Sequence, residues 1–311
     1  MKTLSQYVSC LVLLLAAELG CRSGPPPEPP LGALRIALTL DDLPWQGATA
    51  AGETRLQATQ RLLAALGARR VPVTGFVNCA RIDPEEPVLE TWLSSGMELG
   101  NHTSRHLDLD RTELMTWIAD VEECHTVLAR LLPRAVRYFR YPMLHQGATE
   151  ERRQAATAVL RRLGYATAHV TIDNSEWILG GAYSGGLRRG DLDAQRVIGM
   201  LYMQHIVDAV LHFDRLSHEA LRRPVSHVLL LHANAVAADY LGEVIDVLRA
   251  RGAVFITLDE ALGDPIYTQP DRYLGPKGLS WLYRIRPELL GQWGGWDDEQ
   301  VNTLQVKVPK L

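Results

Sequence analysis

"LTLDDLPW", Leu38 to Trp45, begins as a buried strand and then sets two carboxylates, Asp41 and Asp42, side by side where the apolar run stops. Adjacent like charges raise one another's pKa unless a cation relieves the repulsion. The stretch therefore reads as a strand that delivers a charged pair to a site, with Asp42 holding a divalent cation and Asp41 left ionised as a base.

Outward from this strand the chain alternates. Short β-branched or apolar runs ("LRIALTL", "VPVTGFV", "VRYFRYP", "YATAHVTI", "SHVLLLH", "AVFITL"), with a weaker one at "MELGN", are separated by stretches of helical spacing. The spacing predicts helices over Glu53–Ala68, Arg111–Leu132, Glu150–Gly164, Leu192–Leu221 and Val236–Arg251. About seven strands with intervening helices predict a parallel α/β fold, either an open doubly wound sheet or a barrel. In such folds chemistry sits beyond the C-terminal ends of the strands. Asp41-Asp42, Asn101-His102, Arg140, Asp173 and His232 each end a different strand. One or two of them could be helix caps or turn residues. Five such sets at one rim concentrate charge that something must compensate.

"HTSRH", His102 to His106, places two imidazoles four residues apart, close enough to share a cation. A surface pair at that spacing also arises by accident. A carboxylate from another strand end, Asp42, would complete a His, His, Asp set that leaves coordination positions open, as a catalytic metal site requires.

The chain has 311 residues, 47% of them apolar, with 32 basic and 36 acidic side chains interspersed. It can bury a full core, and it shows no basic stripe of the kind that binds nucleic acid. Lys2 precedes the short apolar run Val8–Ala17, which predicts an export signal in residues 1–21. Gly20-Cys21 fits a lipoprotein cleavage site that would anchor the chain through Cys21; plain secretion and a retained anchor are the alternatives. Residues 22–33, with "GPPPEPP", predict a stiff spacer. The expected localisation is thus outside the cytoplasm, periplasmic, membrane-anchored or secreted. There Cys79 and Cys124 either pair or stay as two buried thiols.

The motifs, in their order, resemble those of the polysaccharide deacetylases of carbohydrate esterase family 4, the NodB-homology domain. The resemblance runs from Leu34 to Leu262 and implies a distorted (β/α) barrel that removes acetyl groups from sugars with a divalent metal, zinc being expected. "TLDDL" matches the first motif at Thr39, Asp41 and Asp42, and "HTSRH" the second in full. The resemblance implies Asp41 as base, and Asp42, His102 and His106 as ligands. In "RYPM" Arg140 and Pro142 match, with Met143 in place of an aromatic residue. It implies that Arg140 pairs with Asp41 and that the Met143 N–H faces the oxyanion. In "DNSEW" Asp173 and Trp177 match, while Glu176 replaces an Asp; "LLLHAN" supplies Leu230 and His232. The implied general acid is His232, oriented and charged by Asp173. Leu230 lines the acetyl pocket, and Trp177 falls among the substrate contacts.

The expected substrate is an N-acetylated saccharide. Departures at Leu43, Met143 and Glu176 keep an O-acetyl esterase, a small-amide amidohydrolase and a non-catalytic glycan-binding protein open as alternatives. Trp45 and His145 border the site in this reading and could touch a sugar ring. Residues 263–311 are expected to strap along the barrel, and Trp281, Trp293 and Trp296 there are candidate carbohydrate contacts.

Overall fold

A computed structural model describes residues 34–293, 299–304 and 308. The expected leader and spacer, residues 1–33, lie outside the described residues. So do Trp296 and the side chain of Trp293.

The first strand, β1 (Arg35–Gln46), is flanked by parallel partners. In chain order follow α1 (Arg55–Ala68), β2 (Val73–Val77), α2 (Val88–Ser94), β3 (Glu98–Asn101), α3 (Leu114–Leu131), β4 (Tyr138–Phe139), α4 (Glu150–Arg162) and β5 (Ala166–Thr167). Then come α5 (Trp177–Arg189), α6 (Leu192–Leu221), β6 (Ser226–Asn234), α7 (Ala235–Ala250), β7 (Val254–Phe255) and α8 (Leu258–Leu262). Every pairing is parallel, in the order β5-β4-β3-β2-β1-β6, with β7 added beside the start of β1. The chain leaving β5 crosses to the opposite edge, where Ile172 bridges Leu229 of β6. The Thr171 N–H donates to the Val228 carbonyl on the same side. That crossing closes the sheet into a distorted (β/α) barrel. Because both strand faces are covered, the strands read as continuous apolar runs, as buried parallel strands do.

The helices follow the sequence spacing to within a few residues at their ends, and their caps explain where they start. Thr54 makes a capping box with Gln57, and Thr149 and Asn234 accept from the third residue of α4 and α7. Among the helices named above, three are additional to the sequence reading, the short α8 and two others. One is α2; the other is α5, "WILGGAYSGGLRR", whose four glycines argue against a helix at about 1 kcal/mol each. Packing overrides that cost: a Cβ on Gly180 would come within 2.7 Å of the Asn234 side-chain nitrogen at the end of β6.

The first strand departs from expectation at its end. It does not stop at the two acids but continues through them to Gln46, with a register break between Leu40 and Leu43 against β2. Asp42 adopts a left-handed backbone (φ 65°), which turns its side chain out of the strand alternation. A disulfide joins Cys79 to Cys124, tying the turn after β2 to α3.

The C-terminal segment packs on the barrel through buried Leu279, Trp281, Tyr283 and Ile285. Trp281 corrects one expectation. It is 3% exposed, its Nε1–H donates to the Ile266 carbonyl at 2.8 Å, and its ring stacks on His169. It is a core residue and offers no sugar platform. Trp45 is likewise buried in the main core.

Replacing both Cys79 and Cys124 with Ser should lower unfolding free energy by about 2–4 kcal/mol, the range for a cross-link that closes a loop of this order. Denaturant titration of oxidised wild type against the double variant checks it.

Candidate active site

The C-terminal ends of the strands open on a cavity of about 500 Å3. Asp41, Asp42, His102, His106, Met143, Asp173, Trp177, Leu230 and His232 all line it. A larger cavity, of about 800 Å3, lies at the opposite end of the strands beside Pro72, Leu99 and Val136. None of the predicted site residues lines that one, and two of its charged groups, Glu98 and Arg137, already pair with each other.

Three ligand atoms converge. His106 Nε2 lies 3.5 Å and His102 Nε2 3.8 Å from Asp42 Oδ1. Ligand atoms on a tetrahedral zinc, with bonds of 2.0–2.1 Å, stand about 3.3 Å apart. Asp42 Oδ1 is buried with no hydrogen-bond partner, a costly state unless a cation faces it. Its other oxygen accepts from Gln46 Nε2 at 3.1 Å and faces Arg81 at 3.7 Å. His102 Nδ1 lies 2.9 Å from the Arg140 carbonyl, so that nitrogen carries the proton and Nε2 keeps its lone pair for the cluster. Burial lowers the pKa of His102 to about 4, and burial with the neighbouring His102 does the same to His106. Neutral imidazoles with oriented lone pairs beside an orphaned carboxylate oxygen are a donor set that fits a divalent cation.

Asp41 lies against a different partner. Arg140, 1% exposed, places Nη1 3.3 and 3.4 Å from the two Asp41 oxygens. Arg140 is itself fixed by donation from Nε to the Ala168 carbonyl and from Nη2 to Thr39 Oγ1, with its plane over the Phe76 ring. Burial raises the Asp41 pKa, and the Arg140 charge opposes that rise without cancelling it. The result is a carboxylate more basic than usual.

Opposite stands His232, the register partner of Asp41 across β1 and β6. Its orienting partner corrects the sequence expectation. The His232 Nδ1–H donates to Glu176 Oε1 at 2.8 Å, so Glu176, not Asp173, orients and charges it. Glu176 is fully buried; its backbone N–H donates to Asn174 Oδ1, and the Asn174 side-chain amide donates to the Leu230 carbonyl. The extra methylene of Glu over Asp supplies the reach from one residue before α5. Burial alone would lower the pKa of His232, but the bond and charge of Glu176 push it up to about 9. Asp173 lines the cavity within electrostatic reach of Arg140 and His232, and burial lifts it to about 7.

Met143 is 44% exposed and Trp177 52% exposed at the cavity mouth, while Leu230 is buried with Leu144 and Val170. Gln46, Asn174 and Gly278 also line the cavity and were not singled out from the sequence. Gln46 and Asn174 carry ordinary strand-end and turn signals that nothing in the sequence separates from many others. His145 reaches the cavity too, with Nδ1 2.9 Å from Asp108 Oδ1. Asp108, Asp110 and His145 sit close enough to suggest a second cation site. Asp108 Oδ1 and Asp110 Oδ1 already accept from His145, the Asp110 N–H and the Ala148 N–H, as a loop-locking network would, while Asp108 Oδ2 faces Arg111 at 3.4 Å and Asp110 Oδ2 is buried without a hydrogen bond.

Replacing Glu176 with Gln should drop the His232 titration from about 9 by more than one pH unit. Imidazole NMR resonances followed from pH 5 to 10 provide the measurement.

Comparisons with known proteins agree with this geometry. Residues 30–168 match the family model described as polysaccharide deacetylase. Among solved structures, the wild-type carbohydrate esterase family 4 pseudoenzyme from Bacillus anthracis is 14% identical, with 75% of this chain and 66% of that one covered and a TM-score of 0.52. A mutant of that pseudoenzyme, with restored enzymatic activity, is 16% identical over 75% and 68% of the two chains, TM-score 0.53. Peptidoglycan deacetylase PdaC from Bacillus subtilis is 20% identical over 85% and 98%, TM-score 0.49. At these identities the two pseudoenzyme structures show a shared fold, and residues 30–168, which hold the first three motifs, match the polysaccharide deacetylase family model.

Proposed function

We propose that this protein is a metal-dependent hydrolase that removes N-acetyl groups from an amino-sugar polysaccharide or oligosaccharide of the cell envelope. One observation carries the reading: an Asp-His-His donor set, a carboxylate on a buried guanidinium and an imidazole on a buried carboxylate all face one cavity. A divalent cation, zinc by the chemistry of two imidazoles and a carboxylate, would be held by Asp42, His102 and His106 and would supply Lewis acidity and an acidified water.

The side chains supply the proton transfers. Asp41, held in place by Arg140 and more basic than an ordinary carboxylate, takes a proton from the attacking water. His232, with a pKa near 9, enters as an imidazolium at neutral pH and donates to the departing nitrogen. An amine leaves poorly without that proton. The Met143 N–H supports the oxyanion, Leu230 receives the acetyl methyl, and Trp177 and Met143 border the sugar at the mouth. The export reading of residues 1–21 favours an envelope substrate.

A site of this fold can also be retired, as in the pseudoenzyme. Here the residues for base, acid and all three donors are present, and Asp41, His232 and His102 each have the partner their role needs. Those partners favour an active enzyme over a glycan-binding remnant.

Zinc-reloaded protein should release acetate from chito-oligosaccharides, and a chelator should abolish the release. Asp41→Asn and His232→Ala should each lower kcat on the order of 100- to 10,000-fold, the worth of a positioned base or acid. The His232 pKa sets the direction of the alkaline limb: activity falls as pH rises through about 9 and the imidazolium is lost. Acetate release undiminished in both variants would exclude the assigned roles.

A further inference from the structure

We propose that the C-terminal extension completes the active site, with Gly278 as a positioning residue that holds the Met143–Leu144 turn at the cavity wall. The inference rests on the deacetylase reading for its catalytic consequence, but its structural part stands alone.

Gly278 lines the same cavity as Asp42 and His232 although it follows them in the chain and lies beyond α8. A Cβ on Gly278 would fall 1.9 Å from the Met143 carbonyl oxygen, 3.0 Å from its carbon and 3.2 Å from Leu144 Cβ. The first two are backbone atoms, so no rotamer change can relieve the clash. Both residues under Gly278 have left-handed backbones, Met143 at φ 55° and Leu144 at φ 55°. Consecutive non-glycine residues in that region persist only where the surroundings impose them. Gly278 supplies one side of that constraint. The other is the next residue, His145, bound to the buried Asp108.

The segment carrying Gly278 is itself tied down at both ends. Upstream, Arg153 of α4 donates to the carbonyls of Asp271 and Tyr273, and Arg284 pairs with Asp271 at 2.6 Å. Downstream, Ser280 Oγ donates to the Thr171 carbonyl at 2.8 Å, and the Trp281 N–H donates to the Val170 carbonyl. Val170 and Thr171 lead directly into Asp173, Asn174 and Glu176. One strap thus presses on the turn that carries Met143 and anchors the segment that carries the partner of His232. Its glycine is required because two backbones meet there without room for a methyl group.

The test uses the full-length, zinc-loaded chain with Gly278→Ala, and Gly275→Ala as control, where an added Cβ meets only the movable Tyr273 ring. Hydrogen exchange of peptides covering residues 141–146 should accelerate about tenfold or more in Gly278→Ala, while peptides covering 35–46 and 98–106 keep wild-type rates. Acetate release should lose kcat about 100-fold, the scale of a misplacement near 1 Å, with KM and zinc stoichiometry little changed. Gly275→Ala should match wild type in both. Wild-type exchange over 141–146 together with wild-type kcat in Gly278→Ala would overturn the proposal. If Gly278→Ala does not fold, Ser280→Ala, which removes the bond to the Thr171 carbonyl and the cap on the Leu282 N–H, decides in its place: local acceleration over 141–146 supports the strap, and unchanged exchange refutes it. Were wild type itself to release no acetate, the deacetylase reading would fail while the exchange data still judged the strap.

Discussion

The site depends on a guanidinium buried beneath a carboxylate. Arg140 has almost no exposure, and moving a charge there from water costs several kcal/mol unless its donors are satisfied. They are satisfied by Asp41, Thr39 Oγ1 and the Ala168 carbonyl. Thr39 Oγ1–H in turn donates to the Leu229 carbonyl of β6. Arg140 therefore ties β4, β1 and the segment after β5 together at the level where the barrel closes. Remove that charge and Asp41 is left buried with burial raising its pKa unopposed by its principal cation. The same contact that seals the barrel sets the basicity of the proposed base.

Around this contact the backbone is bent wherever a functional group must be re-aimed. Asp42, Thr103, His106, Met143 and Leu144 all have positive φ without being glycine. Such residues are uncommon and cluster at functional sites, each costing on the order of 1–3 kcal/mol. Two of the five are proposed ligands, and one carries the proposed oxyanion donor. An ordinary strand would have pointed Asp42 away from whatever face Asp41 occupies. The left-handed turn at Asp42 instead lets two neighbouring residues serve one cavity from one strand.

Much of this could be read from the residues, because apolar periodicity and short motifs are local. The strands, the five long helices and the His102–His106 pair are properties of runs of a few residues, and Asp42 joins that pair because parallel strands present their C-terminal ends to one rim. The partner of His232 was not legible in the same way. Asp173 and Glu176 both precede α5 within four residues of each other, and choosing between them requires knowing how the chain turns at Asn174. Likewise α5 is hidden by its four glycines, of which Gly180 is explained by Asn234, far along the chain. Trp281 reads as a candidate carbohydrate contact in a tail rich in Pro, Gly and Trp, and its burial rests on partners distant in sequence, the His169 ring and the Ile266 carbonyl.

The closing segment, from Ala168 to Glu176, serves both halves of the proposed chemistry. At its start the Ala168 carbonyl holds Arg140, and through it Asp41. At its end Glu176 holds His232. Between them, Ile172 bridges β6 while Val170 and Thr171 receive the C-terminal strap. Asp41 and His232, the proposed base and acid, are register partners on adjacent strands, so their separation is fixed by β-sheet geometry, while this one crossing holds the charged partner of each. A shift of the crossing would loosen at once the Arg140 contact that opposes the burial-raised pKa of Asp41 and the Glu176 bond that raises that of His232. Barrel closure and charge distribution are therefore a single structural constraint, and the strap that packs on the crossing shares in both.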